Sequence, residues 1–135
     1  MKIYPSLLVL VACLLTGTLL CGCRATPAST QTGSYEQISQ QAAKELMDTQ
    51  PNCVILDVRT QGEYDLGRIP GAILIPNEVI LEEAEATLTD KDQLILVYCR
   101  SGRRSKEAAQ KLIDLGYTNV KEFGGIIDWP YQTTR

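Results

Sequence analysis

The chain has 135 residues, room for one domain and hardly for two. Its 44% hydrophobic and 21% charged content is ordinary for a soluble globular protein. A formal net charge of −3, with no long basic run, argues against a nucleic-acid binder.

Met1-Lys2 gives a short basic start, and Ile3 to Leu20 is then almost wholly apolar. Leu20-Cys21-Gly22-Cys23 follows, and after it the polar stretch Arg24 to Gly33. A charged start, an apolar middle and a small residue at the break predict a secretory signal. The segment Leu20-Cys21-Gly22-Cys23 resembles the bacterial lipobox, which implies that residues 1–22 are removed and that Cys23 is acylated. Gly22 favours Cys23 over Cys21, because the bulky Leu20 would stand just before a cut at Cys21. An uncleaved anchor helix is the alternative, since Ile3 to Leu20 is just long enough to span a bilayer. Both readings put the domain outside the cytoplasm, and the lipobox makes it lipid-anchored to the bacterial cell membrane. Residues 23–34 read as lipidated cysteine and flexible tether, and residues 35–135 as the folded domain.

Within the domain, Ser39 to Met47 predicts a helix capped by Ser39, with Ala42, Ala43, Leu46 and Met47 inward. The apolar run Cys53 to Val58 reads as a strand buried on both faces. A helical turn follows at Gln61 to Leu66, and a second strand at Ala72 to Ile75. Glu78 to Leu88 carries helical periodicity, and Leu94 to Tyr98 is a third buried strand. Ser105 to Leu115 predicts an amphipathic helix stopped by Gly116. A short strand, Val120 to Phe123, and a final helical turn near Trp129 complete the series. Strands alternating with helices predict an α/β fold: an open, mainly parallel central sheet flanked by helices on both faces.

The chemistry is concentrated in Cys99-Arg100-Ser101-Gly102-Arg103-Arg104-Ser105, between a buried strand and a helix. In open α/β sheets ligands bind at that carboxyl edge. A loop entering a helix there turns backbone N–H groups toward one point, and Gly102 lets it curl. A thiolate at Cys99 is stabilised by such donors, and Arg100, Arg103 and Arg104 add positive charge. The sequence contains no histidine, so neither a Cys–His dyad nor a histidine-ligated metal is available. No cofactor and no metal are expected. Cys53 sits at the far end of its strand and reads as packing, too distant from Cys99 for a disulfide. Asp57 and Arg59, at a strand end, are candidates for an acid and a guide or for supports of strands and loops, the role that the family resemblance described below favours, with Glu63 as the partner of Arg59 four residues on.

The segment Cys99-Arg100-Ser101-Gly102-Arg103-Arg104 resembles the active loop of the rhodanese family, Cys-Arg-x-Gly-x-Arg/Thr. Ile55-Leu56-Asp57-Val58-Arg59 with Glu63-Tyr64, then Gly67-Arg68-Ile69-Pro70-Gly71-Ala72, resemble its earlier signatures. Gly116-Tyr117 through Gly124-Gly125 to Trp129 resembles its closing one. The resemblance runs from about Tyr35 to Trp129 and departs at Arg68, where the family commonly has histidine. It implies that Cys99 takes sulfane sulfur from a donor such as thiosulfate and yields it to a thiol or cyanide. It also implies that the amides from Arg100 to Arg104, among them Ser101 and Gly102, cradle the outer sulfur. Arg103 would meet an anionic donor, and Arg104 would support the loop or, equally, form a salt bridge that holds the start of the helix. Related phosphatases and arsenate reductases need Cys-x5-Arg; here the loop is one residue short, which favours sulfur over phosphate. A partner-binding module without turnover is a further alternative, but such a module needs neither Cys99 nor its arginines.

Overall fold

The computed structural model describes residues 33–135, so the signal, the Cys23 lipid site and nearly all of the tether lie outside the described residues. The elements run β1 (Glu36–Gln37), α1 (Gln40–Thr49), β2 (Val54–Asp57), α2 (Gln61–Leu66) and β3 (Ile73–Leu74). A 3-10 turn (Asn77–Val79) leads into α3 (Ile80–Thr87), then β4 (Ile95–Cys99), α4 (Arg103–Asp114) and β5 (Val120–Gly125). A last 3-10 turn spans Ile126–Asp128. The five strands form one sheet in the order β1-β5-β4-β2-β3, and every strand pair is parallel.

Strand β4 explains the two-sided core. Its side chains alternate across the sheet. Ile95, Val97 and Cys99 join Ile80 and Ala84 of α3 and Ala108, Ala109 and Leu112 of α4. Leu96 and Tyr98 face the other way, onto Ala43, Phe123 and Trp129, with Leu46 and Met47 of α1 against them. All of β4 is buried, which is why its sequence is a continuous apolar run.

Most boundaries differ from the sequence expectation by a residue or two, and three differences have a local cause. Helix α4 starts at Arg103, two residues before Ser105, because Gly102 at φ +102° turns the chain directly into it. The segment expected as one helix from Glu78 opens instead as a 3-10 turn. Strand β1 had no counterpart in the reading of the sequence; it exists through its pairing of Glu36 and Gln37 with Lys121 and Glu122.

Candidate active site

Strand β4 ends at Cys99, and the chain crosses from there into α4 within three residues. That tight crossing curls the loop around the sulfur: the Gly102 N–H donates to Cys99 Sγ at 3.0 Å. The Ser105 hydroxyl, one turn into α4, lies 3.4 Å from the same sulfur. Cys99 itself is 1% exposed. Burial pushes its thiol up, but the Ser105 hydroxyl and the amides of Ser105, Gly102 and Ser101 outweigh it. The net effect holds Cys99 below the ordinary cysteine value.

The loop is packed from below by the turn at the end of β5. The Ile127 N–H donates to the Arg100 carbonyl at 3.2 Å. Gly125 sits so close beneath that a Cβ there would fall 2.2 Å from the Arg100 oxygen. Only a residue without a side chain lets the two backbones approach in this way.

Arg103 is placed differently from the sequence expectation, whereas Arg104 makes an ion pair at the start of its helix, one of its two expected roles. Arg103 points out along α4 and pairs with Glu107 at 2.6 Å, its side chain 75% exposed. Arg104 makes two 2.8 Å hydrogen bonds to Glu63, tying α4 to α2. Arg100 borders a cleft of about 370 Å³ beside the loop, lined also by Arg59, Leu66 and Ile127. Main-chain and hydroxyl donors, not guanidinium groups, therefore meet the sulfur directly.

The expected pairing of Arg59 with Glu63 is corrected. Arg59 forks onto Asp57, with Nε at 2.9 and 3.0 Å and Nη2 at 2.6 Å. It also donates to the Gly67 carbonyl. Arg59 precedes α2, so helical spacing does not govern it; strand spacing puts it on the side of Asp57. The Tyr98 hydroxyl donates to Asp57 Oδ2 at 2.6 Å and accepts from the Ile69 N–H. Burial first, then the Asp57 carboxylate, push the Tyr98 phenol well above its usual range. Glu63, released from Arg59, caps α2 with Thr60 and is drawn down to about 2, chiefly by Arg104.

Cys53 and Cys99 are both free thiols. Val54 pairs with Ile95, so Cys53 lies beside Leu94 at the opposite edge of the sheet. At about 3.3 Å per residue the two thiols are roughly 16 Å apart, well outside bonding reach.

One functional candidate escaped the sequence reading. Glu122 of β5 is 2% exposed, and its Oε1 accepts from the Ser105 hydroxyl at 2.6 Å and from the Gly124 N–H at 2.8 Å. The clue was its position two residues after Val120, on the same inward face of a central strand.

A parallel α/β sheet with a thiol held by amides at a strand-to-helix loop is the arrangement of a rhodanese-like domain. The chain belongs to the rhodanese-like domain family, whose sequence profile matches residues 39–130. It is 37% identical over 73 residues to the thiosulfate sulfurtransferase PspE of Escherichia coli K12, covering 54% of this chain and 70% of that one. A sulfurtransferase of Allochromatium vinosum is 36% identical over 92 residues, 67% of this chain and 83% of its own. Among solved structures, an E. coli rhodanese with bound anions superposes with a TM-score of 0.57 at 33% identity. That match covers 61% of this chain and 96% of the other. Family and relatives together support sulfur transfer as the general activity.

Proposed function

We propose that this protein moves sulfane sulfur from an anionic donor such as thiosulfate, through a persulfide on Cys99, to a thiol or cyanide acceptor. The observation that carries the proposal is the buried Cys99 sulfur taking an N–H from Gly102, with its acidity raised by loop donors and no imidazole in the sequence. Thiolate attack on the outer sulfur of thiosulfate expels sulfite and leaves a persulfide anion. The amides after Cys99 suit that anion as hydrogen-bond donors. Arg100, at the edge of the cleft, is placed to attract the donor, a role the sequence had suggested for Arg103.

Incubation with thiosulfate should raise the intact mass by one sulfur atom, cyanide should remove it as thiocyanate, and Cys99→Ser should do neither. Equal thiocyanate from both proteins would end the proposal. The same reading places the domain outside the cytoplasmic membrane on an acylated Cys23, supported by the lipobox-like Leu20-Cys21-Gly22-Cys23. Mass spectrometry of the membrane fraction should find Cys23 as a lipid-modified first residue; an unmodified Met1 would refute it.

A further inference from the structure

Three side chains from three elements meet in the interior behind the active loop. Cys99 Sγ lies 3.4 Å from Ser105 Oγ, which lies 2.6 Å from Glu122 Oε1. Their residues are 1%, 0% and 2% exposed. Glu122 accepts from the Gly124 N–H and from the Gln37 amide of β1 at 3.3 Å, yet among the described residues it meets no lysine or arginine. Its neighbour Lys121 pairs with Glu36 on the other side of the strand, and Arg104 of α4 is engaged by Glu63. A carboxylate buried without a cation is strongly disfavoured as a charge.

The Ser105 hydroxyl has one hydrogen to give. The Gly102 and Gly124 carbonyls lie within its reach at 3.1 and 3.4 Å, but the Glu122 carboxylate is nearer at 2.6 Å and charged. The hydrogen can go to that carboxylate, in which case Ser105 accepts from a Cys99 thiol. It can go to a Cys99 thiolate, in which case Ser105 accepts from a protonated Glu122. The two arrangements contain the same number of protons and differ only in where the charge sits. We propose that Cys99 and Glu122 share a single proton through Ser105, so that the thiol ionises by passing its proton to the carboxylate.

For sulfur transfer this rests on the persulfide reading above. As Cys99 attacks thiosulfate, its S–H proton passes to Ser105 while the Ser105 hydrogen passes to Glu122. The bond from Sγ to the sulfane sulfur forms, the S–S bond of thiosulfate breaks, and sulfite leaves with that electron pair. The charge is three negative on both sides, held before by Glu122 and thiosulfate and after by persulfide and sulfite. When cyanide removes the outer sulfur as thiocyanate, the electron pair returns to Sγ and Glu122 gives the proton back. Glu122 is thus a positioning residue that acts through Ser105 and never touches the donor.

The test is a pH titration of thiolate ultraviolet absorbance on the full chain, with Cys99→Ser as the baseline that removes the other thiols. In Glu122→Gln a neutral amide replaces the charge and competes weakly for the Ser105 hydrogen. The Cys99 midpoint should fall by about one pH unit, giving about tenfold more thiolate well below it. In a Ser105→Ala background the same substitution should shift the midpoint by less than half as much. A Glu122→Gln profile that matches the wild type or moves upward, or an equal shift in both backgrounds, overturns the proposal. Should Glu122→Gln fail to fold, infrared spectroscopy of the wild type decides. Loading with thiosulfate must raise a protonated-carboxyl band, and a loaded protein without the band refutes proton sharing. A protein that shows the Glu122→Gln shift but gains no sulfur would instead sink the sulfur-transfer reading and leave the shared proton standing.

Discussion

Gly125→Ala provides a severe test of how the active loop is held. A Cβ at this position would lie 2.2 Å from the Arg100 oxygen, 2.5 Å from the Ser101 Cα and 2.6 Å from the Arg100 carbonyl carbon. Nonbonded carbon atoms sit about 3.5–4.0 Å apart at best, so the loop must retreat by about 1 Å or more. All three obstacles are backbone atoms, and none can rotate away. The Gly125 φ of −123° is open to any residue, so the whole effect is steric. Overpacking of this kind costs about 1–3 kcal/mol, or about 4–8 °C in melting temperature per kcal/mol for a domain of this size. The larger effect falls on chemistry, because a 1 Å misplacement of a reacting group can lower rate about 10²-fold. The assay is the rate of sulfur loading of Cys99 from thiosulfate, followed by intact mass, alongside denaturant unfolding. Gly62→Ala is the matched control: a Cβ there meets nothing within 4 Å, and the residue lies inside α2. It should gain about 0.5–1 kcal/mol and load normally. If Gly125→Ala loads sulfur at the wild-type rate, the loop is not held by that contact.

Arg59→Leu should lose about 3–5 kcal/mol in urea unfolding, because it leaves the buried Asp57 carboxylate without its cation; a loss under about 1 kcal/mol would show that the pair holds little. Glu63, drawn down to about 2 from an ordinary 4.5, contributes stability that is fully present above pH 4.5 and lost as pH falls toward 2. Its side chain is 26% exposed, so after solvent screening the contribution is about 1–2 kcal/mol. Acid unfolding of Glu63→Gln should be flatter across that window, and an unchanged slope would contradict the pairing with Arg104. Cys53→Ser should leave sulfur loading unchanged, since that residue lies at the far edge of the sheet; a loss of loading without unfolding would call for a link between the thiols.

What the sequence displayed depended on how local its cause was. The run Ile95 to Cys99 and the apolar stripe of α4 announce a buried strand and an amphipathic helix within a few residues, and the loop between them contains its own glycine. Strand β1 carries no such signal: Glu36 and Gln37 are polar and exposed, and they become a strand only by pairing with residues 85 positions away. Glu122 was hidden for the same reason. Beside Lys121 it reads as a solvent-facing charge, and only the flanking of β5 by both β4 and β1 buries it. The arginines misled in the opposite direction. Their number near Cys99 suggested a cationic ring, whereas Glu107 draws Arg103 out along α4 and Glu63, legible only once α2 and α4 are packed, draws Arg104 toward α2.

The strand order has a kinetic corollary. The first strand of the described domain hydrogen-bonds to the last, so the sheet cannot be completed until nearly the entire chain has been made and brought together. Pairings as distant as β1 with β5 assemble slowly, because a long stretch of chain must be closed into a loop before they form. During synthesis there is an interval in which the nucleophile exists without the acidic residue behind it, and the reactivity of a nascent or truncated chain should differ from that of the finished protein.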